Sequence, residues 1–587
     1  MNGGTGEQPG QLSPARRQRD LAGLGAEPLD VLVVGGGITG AGVALDAVTR
    51  GLSVGLVEAQ DWASGTSSRS TKLVHGGLRY LQMMDFRLVH EGLTERALLL
   101  QRVAPHLVRP VPVMYPLRRP VIERAYVGAG IALYDLLGLS SRSGRGLPRH
   151  RHLTKAQALK SAPGLRADAL TGAVLYYDAQ VDDARYVVEV VRTAAAYGAV
   201  PVNRAGAVRF LFDGGRVAGA VVRDEETGDE HEVRARVTVS ATGAWTQETE
   251  ALAGHARTVR VRPSKGVHLV VPGDRVDATT GLILRTERSV LFVLPWGANW
   301  LIGTTDTDWP FDKARPLATV GDVDYLISEV NTVLARPLAR RDVQAVFAGL
   351  RPLVAGAGVV RGPGEGRRGA STARLSREHS VSCPGPGLVV VSGGKYTTYR
   401  VMARDAIDAA VAEMGSTGPA SCTSEVPLIG ARAWDAAWQR REVTAQGLGL
   451  ALPAMEHLLR RYGGLADELV AAIGAEPSLA QPLEGAPGYL RAEVAHAVTH
   501  EGARHLDDVV SRRTRIALDV PDRGAGAAGP VVELMAPLLN WGAATRTAEM
   551  EDFTRQARLV EDAASAVVDD TEAARLIGAV PSLLPFP

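Results

Sequence analysis

A glycine turn followed by an acid, near the start of the chain, has the residue types and spacing that bind a dinucleotide. Gly35, Gly37 and Gly40 come directly after the apolar run DVLVV, and Glu58 lies 21 residues beyond Gly37 (58 − 37 = 21). The first glycine of such a turn permits a tight bend, the second lets the backbone approach a pyrophosphate, and the third lets the next helix pack on the sheet. The helix N-terminus attracts the phosphates, and the acid accepts the ribose hydroxyls. We assign these residues, with Thr39 in the same turn, to a dinucleotide site.

The elements that position this turn are a strand, a helix and a second strand, predicted over residues 28–60. The turn alone does not separate NAD from FAD, because both use the same helix terminus. Two later glycine turns favour FAD: Gly243 follows the strand-like run RVTVS, and Gly393 and Gly394 follow LVVV. A nicotinamide enzyme usually needs one such turn, whereas a flavin bound lengthwise needs backbone amides near both of its ends. The sequence therefore predicts FAD as the cofactor.

Length and composition predict a globular protein of several domains. At 587 residues the chain is too long for one hydrophobic core. A net charge of +1 gives no support to nucleic-acid binding. The two cysteines, Cys383 and Cys422, make neither a disulfide framework nor a thiolate metal site. The longest apolar run, residues 125–139, contains an aspartate and is too short to span a bilayer, so any membrane contact is predicted to be peripheral.

The pattern changes twice along the chain, which predicts three parts. Residues 1–27 are predicted to be a flexible N-terminal segment that contains a short helix from Pro14. Residues 28–415 alternate strand and helix patterns, as in an α/β fold with a Rossmann-like domain. Residues 425–587 show only helical periodicity and predict an all-helical C-terminal domain.

Six segments of the α/β part closely resemble the FAD-dependent glycerol-3-phosphate dehydrogenases of the aerobic, quinone-linked type. They are residues 35–40, 66–80, 181–185, 265–268, 349–353 and 393–400, and residues 489–493 and 499–515 resemble the helical domain of the same family. The resemblance implies a β-rich substrate domain interleaved with the FAD-binding domain. It also implies oxidation of sn-glycerol 3-phosphate to dihydroxyacetone phosphate, with hydride transfer to flavin N5 and electrons passed to a quinone. Family members commonly attach to the cytoplasmic membrane, so the expected location is cytoplasmic and peripheral on its inner face.

The substrate implied by the resemblance is a dianion with a secondary alcohol, which requires cations and a proton acceptor. Arg79, Arg351 and Lys395 are the candidates for binding the phosphate, because guanidinium groups hold phosphate oxygens in pairs. Arg79 and Arg351 match substrate-binding positions of the family. His75 is the leading candidate for the general base that takes the hydroxyl proton. Lys265 and His268 are rivals for that role, or electrostatic aids for the developing alkoxide.

Hydroxyl groups are concentrated beside these residues and suit the phosphates and ribityl oxygens of a flavin. A polar surface loop has the same composition, so the assignment depends on the resemblance. Arg69 lies within this stretch and is left open between a phosphate contact and solvent. The residues assigned to the cofactor here are Thr66, Ser67, Ser68, Ser70 and Lys72, together with Thr397 and Thr398.

Two further patterns are weaker. His496 and His500 have helical spacing, but no carboxylate cluster accompanies them in the sequence, so we predict no metal site. Basic residues in 110–124 and 140–155 flank the apolar run, which fits either contact with anionic lipid or a solvated face.

Three other functions remain open at this stage. A glycerol-3-phosphate oxidase would perform the same oxidation but pass the electrons to oxygen and produce hydrogen peroxide. An amine or amino-acid oxidase would need an arginine–tyrosine pair for a carboxylate, and the basic motifs argue against it. A flavin-binding protein without catalytic activity would leave its flavin oxidised in the presence of glycerol 3-phosphate.

Overall fold

Two large sheets and a helical C-terminal region make up the protein. The computed structural model describes residues 7–139, 147–254, 259–286, 290–355 and 378–578, apart from the side chains of Arg79 and Gln82. The strands are β1 (Leu29–Val34), β2 (Val54–Glu58), β3 (Leu73–Val74), β4 (Arg109–Leu117), β5 (Arg151–Thr154), β6 (Gly172–Gln180), β7 (Val200–Asn203), β8 (Ala205–Asp213), β9 (Arg216–Asp224), β10 (Glu230–Ser240), β11 (Arg260–Pro272), β12 (Gly281–Arg285), β13 (Val290–Trp296), β14 (Asn299–Gly303), β15 (Thr307–Asp308), β16 (Ala345–Ala355), β17 (His379–Gly385), β18 (Leu388–Gly393), β19 (Pro482–Leu483) and β20 (Ala486–Leu490).

The helices lie between and after these strands. They are α1 (Pro14–Gly23), α2 (Ile38–Thr49), α3 (Leu78–Gln82), α4 (Phe86–Leu98), α5 (Ile122–Leu139), α6 (Lys155–Ser161), α7 (Asp183–Ala196), α8 (Thr246–Leu252), α9 (Val320–Asn331), α10 (Tyr399–Glu413), α11 (Trp434–Gln439), α12 (Arg441–Leu448), α13 (Leu452–Tyr462), α14 (Ala466–Ala475), α15 (Arg491–Thr499), α16 (Ile516–Asp519), α17 (Ala525–Leu539), α18 (Ala543–Ala566) and α19 (Asp570–Gly578). No helix among the described residues has both the length and the apolar character needed to cross a membrane.

The first sheet has the strand order β17-β18-β10-β1-β2-β7, and its strands from β18 to β7 are parallel. β1 lies at its centre, with Val31 opposite Val237 of β10 and Val54 of β2. Helices α2, α7 and α10 cover one face, while α1 and the β8–β9 hairpin pack on the other. Because both faces are covered, the central strands are continuously apolar. This arrangement confirms the predicted Rossmann-like domain.

The second sheet has the order β15-β11-β14-β13-β12-β4-β6-β3, with β16 beside β11 and β5 beside β6. Its strands come from residues 73–180 and 260–355, whereas the first sheet uses residues 29–58, 200–240 and 379–393. The chain therefore passes repeatedly between the two sheets, which confirms the interleaved β-rich domain. In the long β11–β16 pair, Ser264 lies opposite Arg351 and His268 opposite Phe347.

The N-terminal segment is ordered over its described part, which corrects the expected flexibility of residues 1–27. The short helix predicted from Pro14 is present as α1. Arg17 in this helix is buried, pairs with Asp224 at 2.7 Å and donates to the Asn203 carbonyl at 2.9 Å. The Leu12 amide donates to the His500 carbonyl at 2.9 Å. Composition could not reveal these contacts, because the polar residues find partners far along the chain. Residues 1–6 lie outside the described residues.

The C-terminal region is helical, as predicted, and also contains the small β19–β20 sheet. It is joined to the first sheet by buried ion pairs as well as by the chain itself. Arg512 and Arg513 both bind Asp61, which follows β2, at 2.6 and 2.7 Å. Arg515 binds Asp182, which precedes α7, at 2.9 Å. The helical region therefore fixes loops at the edge of the first sheet.

Candidate active site

A cavity of about 310 Å³, the main cavity, lies between the two sheets and brings most of the predicted site residues together. Its walls come from the ends of β1, β2, β10 and β18, from the loop between β2 and β3, and from β11 and β16. The predicted residues that line it are Gly35, Gly37, Thr39, Glu58, Thr66, Ser67, Ser70, His75, Gly243, His268, Arg351, Gly393, Gly394, Lys395 and Thr397. The ends of parallel strands and the glycine turns that follow them thus form one site.

The glycine turn has the close approaches that its spacing predicts. Gly35 has a φ of +110°, which favours glycine. A Cβ on Gly40 would lie 1.8 Å from the Gly35 carbonyl oxygen, so only glycine allows α2 to start so near the turn. Gly40 therefore shapes the site without lining it.

Glu58 lies at the end of β2, where its carboxylate faces the main cavity. It accepts hydrogen bonds from the amides of Gly36 at 2.6 Å and Gln60 at 2.8 Å. Burial raises the pKa of Glu58. Two backbone donors thus hold the carboxyl group in place beside the turn, where it can accept a ribose hydroxyl. Nearby, the Ser67 hydroxyl accepts the Ile38 amide at 2.9 Å and so caps the start of α2.

Elsewhere in the lining of the main cavity, the segment that carries His75 is hydrogen-bonded to the segment that carries Lys395. The His75 amide donates to the Thr397 hydroxyl oxygen at 3.1 Å, and this hydroxyl lies 3.2 Å from the His75 carbonyl oxygen, to which it donates. The Lys395 ammonium donates to the Gly76 carbonyl at 3.2 Å and lies 4.3 Å from the centre of the Tyr80 ring. The segments that carry His75 and Lys395 are therefore connected, and both residues line the main cavity.

Arg351 reaches the main cavity from β16. Its guanidinium donates to the Thr304 hydroxyl at 2.9 Å and to the Thr305 carbonyl at 3.2 Å. A Cβ on Gly266, in the neighbouring strand β11, would lie 2.5 Å from the guanidinium. Gly266 therefore leaves the space that Arg351 occupies, and the two hydrogen bonds orient its fork.

His268 is buried against the same wall and is an uncharged imidazole. Its ring stacks on Phe347 at 4.8 Å, and its Nε2 lies 3.0 Å from the Thr71 hydroxyl. Burial, with the charges of Arg351 and Lys72, holds the pKa of His268 well below its ordinary value. A group with so low a pKa is a weak proton acceptor at neutral pH. The direction of this pKa shift argues against His268 as the base.

The structure corrects the prediction for Lys265. Residues three apart on a strand point to opposite faces, so Lys265 points away from the face that carries His268. Its ammonium is fully buried outside the main cavity, where it pairs with Asp322 at 2.5 Å and with Asp570. Lys265 anchors α9 and α19 to β11, and it does not reach the reacting atoms.

Asp183, which the sequence analysis did not assign to the site, organises the hydroxyl-rich loop. Its carboxylate accepts the Lys72 ammonium at 2.7 Å and the Ser70 hydroxyl at 2.7 Å. The Lys72 ammonium also donates to the Ser68 carbonyl at 2.7 Å. Lys72, Ser68 and Thr398 do not line the main cavity, and their assignment to the cofactor stays a prediction. The adjacent aspartates in the segment VDDAR were the available signal for Asp183.

Three other residues complete the account of the site. Arg79 lies in α3, but its side chain is outside the described residues. Tyr80 and Trp245 line the main cavity and were missed. Tyr80 ends the segment 66–80 that resembles the family, and Trp245 lies two residues after Gly243, so an aromatic ring near a glycine turn was the signal for each.

The two helical histidines have a carboxylate neighbour that the sequence did not reveal. His496 Nε2 lies 2.7 Å from Glu468, and ligand atoms of Glu468, His496 and His500 come within 4.8 Å of one another. Arg192 already binds Glu468 at 2.8 Å, and burial with the charge of His496 lowers the pKa of His500 to about 3. This buried ion network joins α7 to the C-terminal helices.

The residues that line the main cavity suit FAD. The helix N-terminus and Glu58 suit the pyrophosphate and a ribose, and the lining also contains hydroxyl, imidazole and cationic groups. A Rossmann-like domain interleaved with a β-rich domain around such a site defines a flavin-dependent oxidoreductase.

Comparisons with known proteins identify the family. Residues 30–400 match the family model for FAD dependent oxidoreductases, and residues 421–546 match the C-terminal domain of alpha-glycerophosphate oxidase. Glycerol-3-phosphate dehydrogenase 2 of Mycobacterium tuberculosis is 48% identical over 580 residues, which are 99% of this chain and 96% of that protein. The mitochondrial glycerol-3-phosphate dehydrogenase of Homo sapiens is 37% identical over 576 residues, 94% of this chain and 75% of that protein.

A solved structure agrees with these matches. The crystal structure of the Bacillus halodurans glycerol-3-phosphate dehydrogenase complexed with FAD has a TM-score of 0.75 and 29% identity, over 93% of this chain and 98% of that one. The chain therefore belongs to the family of FAD-dependent glycerol-3-phosphate dehydrogenases. Its cofactor is FAD, and it is an oxidoreductase.

Proposed function

We propose that this enzyme oxidises the secondary alcohol of sn-glycerol 3-phosphate to dihydroxyacetone phosphate and passes two electrons to a quinone. The observation that carries the proposal is that Arg351, Lys395 and His75 line the same cavity as the glycine turn and Glu58. When bound, FAD supplies N5 as the acceptor of a hydride. The protein must then hold a dianion, orient its C2 hydrogen and accept one proton.

The phosphate of the substrate binds to Arg351 and Lys395 in this proposal, and Arg79 is a further candidate. The fork of Arg351 is oriented by Thr304 and Thr305, so it can hold two phosphate oxygens. Lys395 adds a point charge. Fixing the phosphate at one end positions the C2 alcohol, which is two bonds beyond the phosphate ester oxygen, toward the flavin.

His75 accepts the proton of the C2 hydroxyl as the hydride departs. Its backbone is fixed on both sides by the Thr397 hydroxyl, which limits the positions that the ring can take. His268 remains uncharged and can orient the substrate through Thr71. These roles would explain why imidazole groups line the same cavity as Arg351 and Lys395.

Anaerobic addition of glycerol 3-phosphate to the purified FAD-loaded enzyme tests the reaction. We expect the flavin absorbance near its visible maximum to bleach, with one dihydroxyacetone phosphate formed for each flavin reduced. Glycerol and glycine serve as control substrates without a phosphate, and they are expected to leave the flavin oxidised. A folded, flavin-loaded sample that glycerol 3-phosphate does not bleach would contradict the proposed substrate.

Reoxidation of the same reduced sample distinguishes the acceptors. Fast reoxidation by a soluble quinone and slow reoxidation by air support the dehydrogenase. Fast reoxidation by air with stoichiometric hydrogen peroxide would instead establish a glycerol-3-phosphate oxidase, which uses the same first half of the reaction.

We further propose peripheral contact with the inner face of the cytoplasmic membrane through α5 and the turn between α3 and α4. Val121, Ile122 and Tyr126 are 73%, 75% and 60% exposed, and Met84 is 70% exposed. Large exposed apolar side chains close together favour insertion at a lipid interface, and basic residues such as Arg119 attract anionic lipid. Residues 140–146 of the second basic segment lie outside the described residues.

Flotation with lipid vesicles tests this contact. We expect the wild-type enzyme to float with vesicles that contain anionic phosphatidylglycerol, and the double variant Val121→Asp/Ile122→Asp to remain below. Val443→Asp changes an apolar side chain of the same 75% exposure in the C-terminal region and is the matched control. Equal flotation of all three proteins would exclude α5 as the contact.

A further inference from the structure

A second cavity of about 160 Å³ lies on the other side of Arg69 from the main cavity. Arg69 contributes to the walls of both. The rest of the second cavity combines Arg315 and Arg523 with apolar side chains such as Phe553 of α18 and Val346 of β16. The sequence did not decide whether Arg69 contacts a phosphate or points to solvent. In the structure it faces the second cavity as well as the main cavity.

The second cavity has more positive than negative charge. Among the described residues, Arg69, Arg315 and Arg523 form no ion pair. Asp507, the one carboxylate among the described residues that line this cavity, is bound by Arg512 at 2.7 Å and also lies near Arg69 and Arg523. Arg512 in turn is neutralised by further carboxylates, including Asp61. Three guanidinium groups thus line a small space whose carboxylate is shared with Arg512.

Keeping these guanidinium groups charged costs free energy when no anion is bound, because they are partly removed from water. Burial, together with the neighbouring charges of Arg512 and Arg315, lowers the pKa of Arg69 to about 10. Burial likewise lowers the pKa of Arg523. Buried charges are normally paired, because removal from water penalises them strongly. Arg69, Arg315 and Arg523 are half-buried by their exposed surface, so an anion in this cavity would offset a partial cost of burial.

The backbone that carries Arg523 is specialised to turn this side chain inward. Asp522 and Arg523 have φ values of +55° and Gly524 has +85°, a run that residues other than glycine rarely adopt. The Asp522 carboxylate accepts the amides of Gly524 at 3.0 Å and Gly526 at 2.8 Å, which holds the turn. Arg523 then donates to the Val346 carbonyl at 2.9 Å at the cavity wall. Strained backbone of this kind is concentrated at ligand sites.

We propose that the second cavity binds a small phosphate-type dianion, either inorganic phosphate or a short phosphate monoester. Three guanidinium groups match a tetrahedral dianion better than a single carboxylate. At about 160 Å³ the second cavity has roughly half the volume of the main cavity, about 310 Å³, which favours a small ligand. The apolar wall leaves room for a short carbon chain.

Occupation of the second cavity is coupled to the main cavity through Arg69. A Cβ on Gly349 would lie 2.5 Å from the Arg69 carbonyl oxygen, and Arg351 is two residues further along β16. An anion beside Arg69 offsets part of the positive potential that attracts a dianionic substrate. It should therefore raise the KM for glycerol 3-phosphate. This coupling rests on the proposed function, whereas the binding of the anion does not.

Calorimetric titration of the FAD-loaded full chain with inorganic phosphate tests the site without any substrate turnover. Arg351→Ala serves as the background, because it weakens phosphate binding in the main cavity. In this background we expect Arg315→Gln and Arg523→Gln each to raise the Kd for phosphate roughly tenfold or more. Arg555→Gln, on α18 and paired with Asp552 at the surface, is the matched control and should leave the Kd unchanged.

The outcomes separate the possibilities. Phosphate binding that persists in Arg351→Ala and is lost in Arg315→Gln establishes the second site. Phosphate binding that disappears in Arg351→Ala alone, or that Arg315→Gln and Arg523→Gln both leave unchanged, overturns it. Repeating the titration with glycerol 3-phosphate in the Arg351→Ala background identifies the source: tighter binding than that of inorganic phosphate indicates a monoester whose carbon chain uses the apolar wall. Failure of the flavin to bleach would overturn the proposed function without affecting this result.

Discussion

Replacement of His75 by alanine is expected to slow reduction of the flavin by glycerol 3-phosphate about 10²–10⁴-fold, the usual contribution of a positioned base. The rate falls because the C2 hydroxyl then has no acceptor at the end of the main cavity where the cations hold the phosphate. The substrate affinity should change little, because the phosphate contacts remain. Stopped-flow absorbance of the flavin under anaerobic conditions measures both quantities from the dependence on substrate concentration.

Two variants control this result. His231→Ala alters a histidine on β10 that does not line the main cavity, and it should reduce its flavin at the wild-type rate. His268→Ala removes the uncharged imidazole and is expected to have a smaller effect than His75→Ala. If His75→Ala is reduced at nearly the wild-type rate while His268→Ala is slow, the two histidines have the opposite roles. Lys265 is not an alternative, since it is held outside the cavity by Asp322 and Asp570.

Arg351→Ala is expected to raise the KM for glycerol 3-phosphate by a factor of roughly 30 to 1,000, which corresponds to about 2–4 kcal/mol for a lost charged partner. The oriented fork of Arg351 is lost, and Lys395 alone cannot bind the phosphate in the same geometry. Steady-state kinetics with a soluble quinone measure the change. The maximum rate should fall less than kcat/KM, because a saturating substrate still reaches His75.

Arg351→Lys is the informative companion, because it keeps the charge and removes the fork. We expect a KM between those of the wild type and Arg351→Ala. Arg340→Ala removes an exposed arginine that pairs with Asp324 at the surface, and it should leave the KM unchanged. A KM of Arg351→Ala equal to that of the wild type would remove Arg351 from substrate binding.

The dinucleotide half of the site was predictable because its chemistry is local. The turn from Gly35 to Gly40 and the acid at Glu58 are contained in one strand–helix–strand unit, so spacing alone defines their relation. The same holds for the glycine turns at Gly243 and Gly393, each of which ends a buried parallel strand. Parallel strands bring such turns to one edge of the sheet whatever their distance in sequence.

The other half of the site depends on contacts that no local pattern encodes. Lys265 and His268 looked equivalent in sequence, but both lie on β11, whose alternation places them on opposite faces. Lys72 looked like a cofactor contact because its partner, Asp183, lies more than a hundred residues away. Hydroxyl and basic residues in a loop have no periodicity that tells which of them face a cavity.

The interleaving of the two sheets also has a consequence for synthesis of the chain on the ribosome. β1 pairs with β2, which follows it closely in the chain. The other neighbour of β1 is β10, and its residue Ala235, opposite Leu29, is 206 residues later (235 − 29 = 206). At a translation rate of about 5–20 residues per second, one edge of this apolar central strand remains unpaired for on the order of 10–40 s until β10 is synthesised. Neither sheet can be completed from an N-terminal fragment. The nascent chain must therefore remain protected from aggregation until most of it has emerged. A stable flavin site can form only late in translation.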